Sequence, residues 1–350
     1  MSQVSTYQMR RGRAVRIRDD ARARPRAANG PQRQRMHPRV LLAGISTGAV
    51  LVVLMWWLDT VGVAGFGGWL TNAGRLTGLL AGYAIVIQLL LMARIPAVEH
   101  GVGADRLARW HSFGGRYTVS LVSAHVLLII WGYSVTGHLG LVQQTSNLLL
   151  TYPDVLMATV AFGLLLMVGW VSARAVRKRL SYETWYFLHF YTYLAIALAF
   201  SHQFATGADF VGSLRNRALW SLLYAGTALA LIWFRFLVPL RALVRHRLRV
   251  AEVSHEGPGV VSITFTGNHL DELGAEPGQF FRWRFLNRGH WWQSHPYSLS
   301  APPHPHRLRI TVKDLGDHSG DLPSLRVGTR VLAEGPYGAF TAHRRSRRKV

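Results

Sequence analysis

Residues 113–134 read FGGRYTVSLVSAHVLLIIWGYS. The only charged side chain is Arg116, near the start, and a lone histidine, His125, sits between LVSA and VLLII. As a helix rising about 1.5 Å per residue, the run is long enough to cross a bilayer core of about 30 Å. A buried helix of a soluble protein keeps a polar face, and His125 aside this run has none.

Outward from it lie five more blocks of the same kind, at roughly 40–58, 75–93, 154–172, 185–204 and 218–238. The expected fold is therefore a mainly α membrane protein with six transmembrane helices. Composition agrees: 49% of residues are hydrophobic and only 16% charged. The net charge of +23 does not argue for a nucleic-acid partner, because of where the cations lie. Eleven arginines fall in residues 1–39, a stretch poor in large apolar residues that reads as a disordered basic arm. It lacks interleaved aromatics and a reader fold, so no nucleic acid is expected. The absence of cysteine excludes disulfides, iron–sulfur clusters and thiolate ligation of haem.

Short loops set the orientation. Arg94, Arg106 and Arg109 follow the second block, Arg174, Arg177, Lys178 and Arg179 the fourth, and Arg241, Arg245, Arg247 and Arg249 the sixth. Residues 59–74 and 135–153 contain neither Lys nor Arg, and Arg215 and Arg217 are a small exception in 205–217. Both termini are thus expected in the cytoplasm, with a multi-pass chain in the plasma membrane.

Four histidines stand out, since ionisable residues in a span are costly and often functional. The third block carries His111 and His125, 14 residues apart; the fifth carries His189 and His202, 13 apart. Each interval is about 20 Å of helix. Two cross-helix pairs, His111 with His189 and His125 with His202, can each clamp one haem iron axially. Taken singly, His111 or His189 reads equally well as an interfacial polar residue; the matched spacing favours pairs. Thirteen residues leave the second histidine well over a quarter-turn off the first one's face, so the fifth block is expected to need a π-bulge or a strong tilt.

From residue 246 the period shortens. RLRVAEVSH, GVVSITFTG, FFRWRFL, RLRITVKDL and TRVLAEG are short alternating runs separated by Gly, Pro and Asp, which predicts a small antiparallel β-barrel over 241–350. Within it lie HPYS (295–298), GDHSGDL (316–322) and EGPYG (334–338). Alone, HPYS reads as a turn entering a strand.

With its paired histidines, SYETWYFLHFYTYLAIALAFSH (181–202) resembles the ferric reductase-like transmembrane domain over roughly 40–240, a family that includes NADPH oxidases. That resemblance implies two b-type haems on His111, His125, His189 and His202. The 241–350 segment resembles the flavin-binding barrel of the ferredoxin–NADP reductase superfamily. There it implies FAD held by His295, Pro296, Tyr297 and Ser298, with Gly316 and Ser319 at the pyrophosphate. His295 replaces the usual arginine and lacks its constant charge, so weak FAD binding is expected. The following nucleotide-binding domain is not recognisable by residue 350, so NAD(P)H is expected only through a missing domain or a separate reductase partner. The implied activity passes electrons from reduced flavin outward to a small acceptor, Fe(III) or O2. The competing reading is a haem-bearing relay subunit dependent on that reductase.

Overall fold

The computed structural model describes residues 36–289 and 291–338. Most of the expected basic arm (1–35) and the basic stretch at the end of the chain lie outside the described residues. The helical part comprises α1 (Pro38–Asp59), α2 (Gly65–Leu91), α3 (Pro96–Val102), α4 (Ala104–Gly137), α5 (Leu141–Thr151), α6 (Val155–Ser172) and α7 (Arg174–Arg177). Then follow α8 (Tyr182–Thr206), α9 (Ala208–Val211), α10 (Leu214–Ile232), a π-helical turn (Trp233–Leu237) and α11 (Val238–His246).

Among the described residues five helical segments are long and apolar enough to cross a membrane: α1, α2, α4, α6 and the continuous run Leu214–His246. Their large apolar side chains point outward in numbers no water-soluble surface carries, for example Leu127 and Leu229. Against the six spans expected, α8 is long enough but is not in this set. Its sequence carries Glu183, His189, His202, Gln203 and several tyrosines, which lower its hydropathy. Of the two alternatives expected there, a π-bulge or a strong tilt, the bulge is absent: α8 is an uninterrupted α-helix, and a π turn falls at Trp233–Leu237.

α2 and α4 pack closely because of what lines their seam. Gly67, Thr71, Gly74 and Gly78 recur at intervals of four and three on α2; Gly67 and Thr71 face Gly132 and Thr136 of α4, while Gly74 faces Ile129 and Gly78 faces His125. A Cβ on Gly67 would lie 2.5 Å from Thr136 Oγ1, and one on Gly132 would lie 2.7 Å from the Thr71 backbone nitrogen. Small residues at this spacing let two membrane helices approach backbone to backbone.

The rest is mainly β-structure, with short helical turns between strands: β1 (Arg249–Gly257), β2 (Val260–Thr266), β3 (Phe280–Phe285), β4 (His295–Ser298), β5 (Arg307–Lys313) and β6 (Val331–Tyr337). Where a single barrel is expected, the strands form two three-stranded antiparallel sheets, ordered β1-β2-β5 and β4-β3-β6. Isolated bridges link them at Arg249–Arg330 and Leu299–Ile310. Alternation builds the core between the sheets. Phe281, Trp283 and Phe285 of β3 are buried, as are Leu308, Ile310 and Val312 of β5. Phe265 stacks on Trp283 with ring centroids 4.4 Å apart. Burying each such side chain stabilises the fold by about 1.5–3 kcal/mol relative to exposure. Gly335 in β6 has φ 152°, and a Cβ there would lie 2.8 Å from Phe281; only glycine fits.

Candidate cofactor-binding site

The four histidines meet in two pairs. The ring centroids of His111 and His189 are 6.0 Å apart at an interplanar angle of 68°. Those of His125 and His202 are 6.5 Å apart at 60°. The helical offset of His202 is thus absorbed by helix placement and side-chain rotation rather than by a backbone bulge.

Each ring has a partner at Nδ1. His125 Nδ1 lies 2.8 Å from the Gly74 carbonyl, and His111 Nδ1 lies 3.2 Å from the Gln88 carbonyl. His202 Nδ1 lies 2.9 Å from Thr206 Oγ1, and His189 Nδ1 lies 3.5 Å from Ser172 Oγ. A bond from Nδ1–H to a carbonyl fixes the tautomer and leaves Nε2 to bind metal, the usual second shell of a ligating histidine. Two imidazoles on opposite sides of one metal ion, each bonded at about 2 Å, have centroids about 6 Å apart. Both pairs meet that condition. No group of three or more His, Cys, Asp or Glu among the described residues could cage a bare ion. The pairs therefore suit a metal whose remaining ligands arrive with it, as in haem.

Several contributors were not visible in the sequence reading. A Cβ on Gly78 would lie 2.7 Å from His125 Nδ1, so this glycine makes room for the ring. Trp185 stacks on His189 at 5.1 Å, donates from Nε1 to Ser172 Oγ and is covered by the Arg177 guanidinium. At the opposite end of the bundle Asp59, Arg75, Tyr133 and Asp209 line a cavity of about 310 Å3. Asp59 is held there by Arg215 and Asn216, and burial raises the Asp209 carboxyl pKa. Small-residue spacing could have pointed to Gly78. The Asp59–Asp209 meeting joins distant segments and leaves no local signal.

In the β domain, HPYS is strand β4, paired with β3 so that Phe280 faces Ser298, Phe281 faces Tyr297 and Arg282 faces Pro296. Partners across a strand pair project to the same side. Pro296 and Ser298 therefore share the outward face with Phe280 and Arg282, and both are exposed. Tyr297 turns the other way and packs on the core; burial raises its phenol pKa, and its carbonyl accepts from Trp283 Nε1 at 3.0 Å. The His295 and Tyr297 rings lie nearly parallel, 6.3 Å apart. Gly316, φ 145°, and Ser319 belong to one turn: Ser319 Oγ accepts from the Leu315 amide at 2.8 Å and donates to the Gly316 carbonyl. Among the described residues the hydrogen bonds of that turn run to Asp314, Leu315 and Gly316 rather than to β4. The outward face of β4 and β3 offers an aromatic ring, a hydroxyl and a guanidinium side by side, a donor set that suits a flat ring with an anionic tail.

The two parts touch. Arg94, between α2 and α3, pairs with Glu334 of β6. Glu99 of α3, Arg235 of the π turn, Arg282 and Tyr337 surround this pair. Burial raises the Glu99 carboxyl pKa against the pull of Arg94, Arg235 and Arg282.

Membrane-length helices joined to an antiparallel β domain make this a membrane protein with an appended domain. Residues 77–200 match the ferric reductase like transmembrane component, and residues 245–341 match an FAD-binding domain. The chain thus carries a ferric reductase-like transmembrane segment followed by an FAD-binding domain. A curated relative, magnetosome protein MamZ of Paramagnetospirillum magneticum, is 25% identical over 166 residues, which is 47% of this chain and 23% of that protein. The chain thus spans less than a quarter of that relative's length. A crystal structure of flavohemoglobin from Malassezia yamatoensis, with bound FAD and heme, aligns with 80% of this chain and 66% of its own at 15% identity and a TM-score of 0.28; a likeness that slight has no bearing on the fold.

Proposed function

We propose that the chain is a transmembrane flavocytochrome that moves electrons from FAD on one side of a membrane to an acceptor, Fe(III) or O2, on the other. In this reading α8 crosses as a sixth span, giving a six-helix domain over 40–240, and the two sheets of 241–350 close as one barrel through their edge bridges. Both termini lie in the cytoplasm and the membrane is the plasma membrane.

His111 with His189, and His125 with His202, would each hold one b-type haem through Nε2. His295, Pro296, Tyr297, Ser298, Gly316 and Ser319 would hold FAD. When bound, a flavin takes up a hydride and gives out single electrons, which haem accepts one at a time. The chain's own part is to orient the rings. Gly74 and Gln88 carbonyls hold two imidazoles, Thr206 and Ser172 hold the others, and the apolar flanks of α4 and α6 keep water out. The hydride would come from a nucleotide-binding domain or a separate reductase, and the outer acceptor would approach through the Asp59–Arg75–Asp209 cavity.

The observation that carries this reading is the meeting of four histidines in two pairs with centroids 6.0 and 6.5 Å apart. A pyridine haemochrome assay on the purified chain, with reduced-minus-oxidised spectra, tests it. Two low-spin haems per chain are expected; one or none rejects the pairing.

A further inference from the structure

The run Leu214–His246 has 33 residues, about 50 Å of helix. That exceeds a hydrocarbon core of about 30 Å, so its last dozen residues emerge beside the β domain. There one side of α11 packs on β6. The other side borders a groove of about 600 Å3, closed on its far wall by Asn268 and His269.

The groove has two kinds of lining. Leu237, Leu240 and Val244 follow one another at helical spacing and are 44%, 55% and 61% exposed. Arg241 and Arg247 lie among and beyond them. Arg245 also lines the groove, but its guanidinium is committed to Glu272, at 2.6 and 3.1 Å. Arg241 and Arg247 have no carboxylate within ion-pair distance among the described residues. Arg247 adopts a left-handed conformation, φ 45°, which ends the helix, and its Nε donates to the Val244 carbonyl at 3.3 Å.

An apolar stripe running out of the bilayer into two guanidiniums without a carboxylate partner among the described residues is complementary to one kind of molecule. We infer that this groove binds one anionic phospholipid, with its upper acyl chains on Leu237, Leu240 and Val244 and its phosphate between Arg241 and Arg247. A soluble anion would leave the apolar stripe bare. A zwitterionic lipid would bring its own cation against the arginines. The site lies on the same helix that carries the chain from membrane to β domain, so an occupied groove fixes the angle of that exit.

Native mass spectrometry of the full chain in mild detergent tests this, with phosphatidylglycerol, phosphatidylcholine and inorganic phosphate as separate probes. One retained phosphatidylglycerol is expected, with roughly a fivefold loss of affinity for each arginine removed in Arg241→Gln and Arg247→Gln. Arg241→Lys should keep most of the binding, and Arg179→Gln, elsewhere, should leave it unchanged. Leu240→Ser should also weaken retention. Equal retention of phosphatidylcholine, retention unaffected in the double Gln variant, or displacement by millimolar inorganic phosphate would each overturn the site. If the double variant misfolds, Arg241→Lys and Leu240→Ser still decide the matter.

Discussion

Arg94 and Glu334, 240 residues apart in the chain, form an ion pair between the end of the second membrane helix and the last strand of the FAD-binding domain. Their side chains are 18% and 10% exposed, so the pair sits at a nearly dry junction. Six residues before Arg94 on the same stretch is Gln88, whose carbonyl holds His111. The histidine pair and the β domain are thus tied to one short segment.

Removing one member of such a pair strands the other charge. Arg94→Ala should lower unfolding stability by about 3 kcal/mol and increase protease cleavage around residue 247. The Arg94→Glu, Glu334→Arg double exchange should recover much of that loss. Chemical denaturation of both variants in one detergent is the check, and an Arg94→Ala protein as stable as the parent would remove this pair from any role in holding the domains.

Glu99 gives a pH-dependent expectation. Its folded pKa is raised, mainly by burial. In the window between the ordinary carboxylate pKa and the raised one, the folded state binds more protons than the unfolded state, so stability falls as pH rises. Glu99→Gln imitates the protonated form. Its melting temperature should exceed the parent's at pH 8, and the gap should narrow toward pH 5 in a thermal-shift series.

Gly78 tests the fit around His125. Gly78→Ala adds a methyl 2.7 Å from Nδ1, so either the ring or α2 must move. The haem proposed on His125 and His202 should be lost or change spin state, while the one proposed on His111 and His189 stays. Absorption and electron paramagnetic resonance spectra distinguish the two, and an unchanged spectrum would show that the seam yields elsewhere.

FAD should bind weakly, because the imidazole of His295 lacks a constant positive charge. His295→Arg should tighten binding by about tenfold, the effect of roughly one charge-assisted hydrogen bond. Fluorescence titration of the full chain with FAD measures it. A weaker complex in the variant would place the phosphates away from residue 295.

Much of this was legible in the sequence because it is periodic. Apolar runs marked the spans, alternation marked β3 and β5, and near-equal intervals of 14 and 13 residues marked the histidines. What escaped depended on partners far apart in the chain. Ser172, Gln88 and Gly74 serve histidines on other helices and carry no local mark, whereas Thr206 lies one turn from His202 and could have been read. A π-bulge or a strong tilt was expected in α8 on helical geometry alone. The π turn lies at 233–237, and relative helix placement, which a single sequence does not encode locally, brings His202 to His125. In the β domain the order of HPYS, GDHSGDL and EGPYG was plain, yet the inward turn of Tyr297 follows from pairing with Phe281 and needed the register.

The carbonyls of Gly74 and Gln88 stand 14 positions apart on α2, and they receive His125 and His111, also 14 apart on α4. Two antiparallel helices thus carry the same interval, as two scales of a vernier set to agree at both marks. Adding or deleting one residue between the marks on either helix would rotate one mark by about 100° and leave the other in place. Length in this stretch is therefore fixed more strictly than composition: Gly78 aside, side chains between the marks can vary more freely than their number.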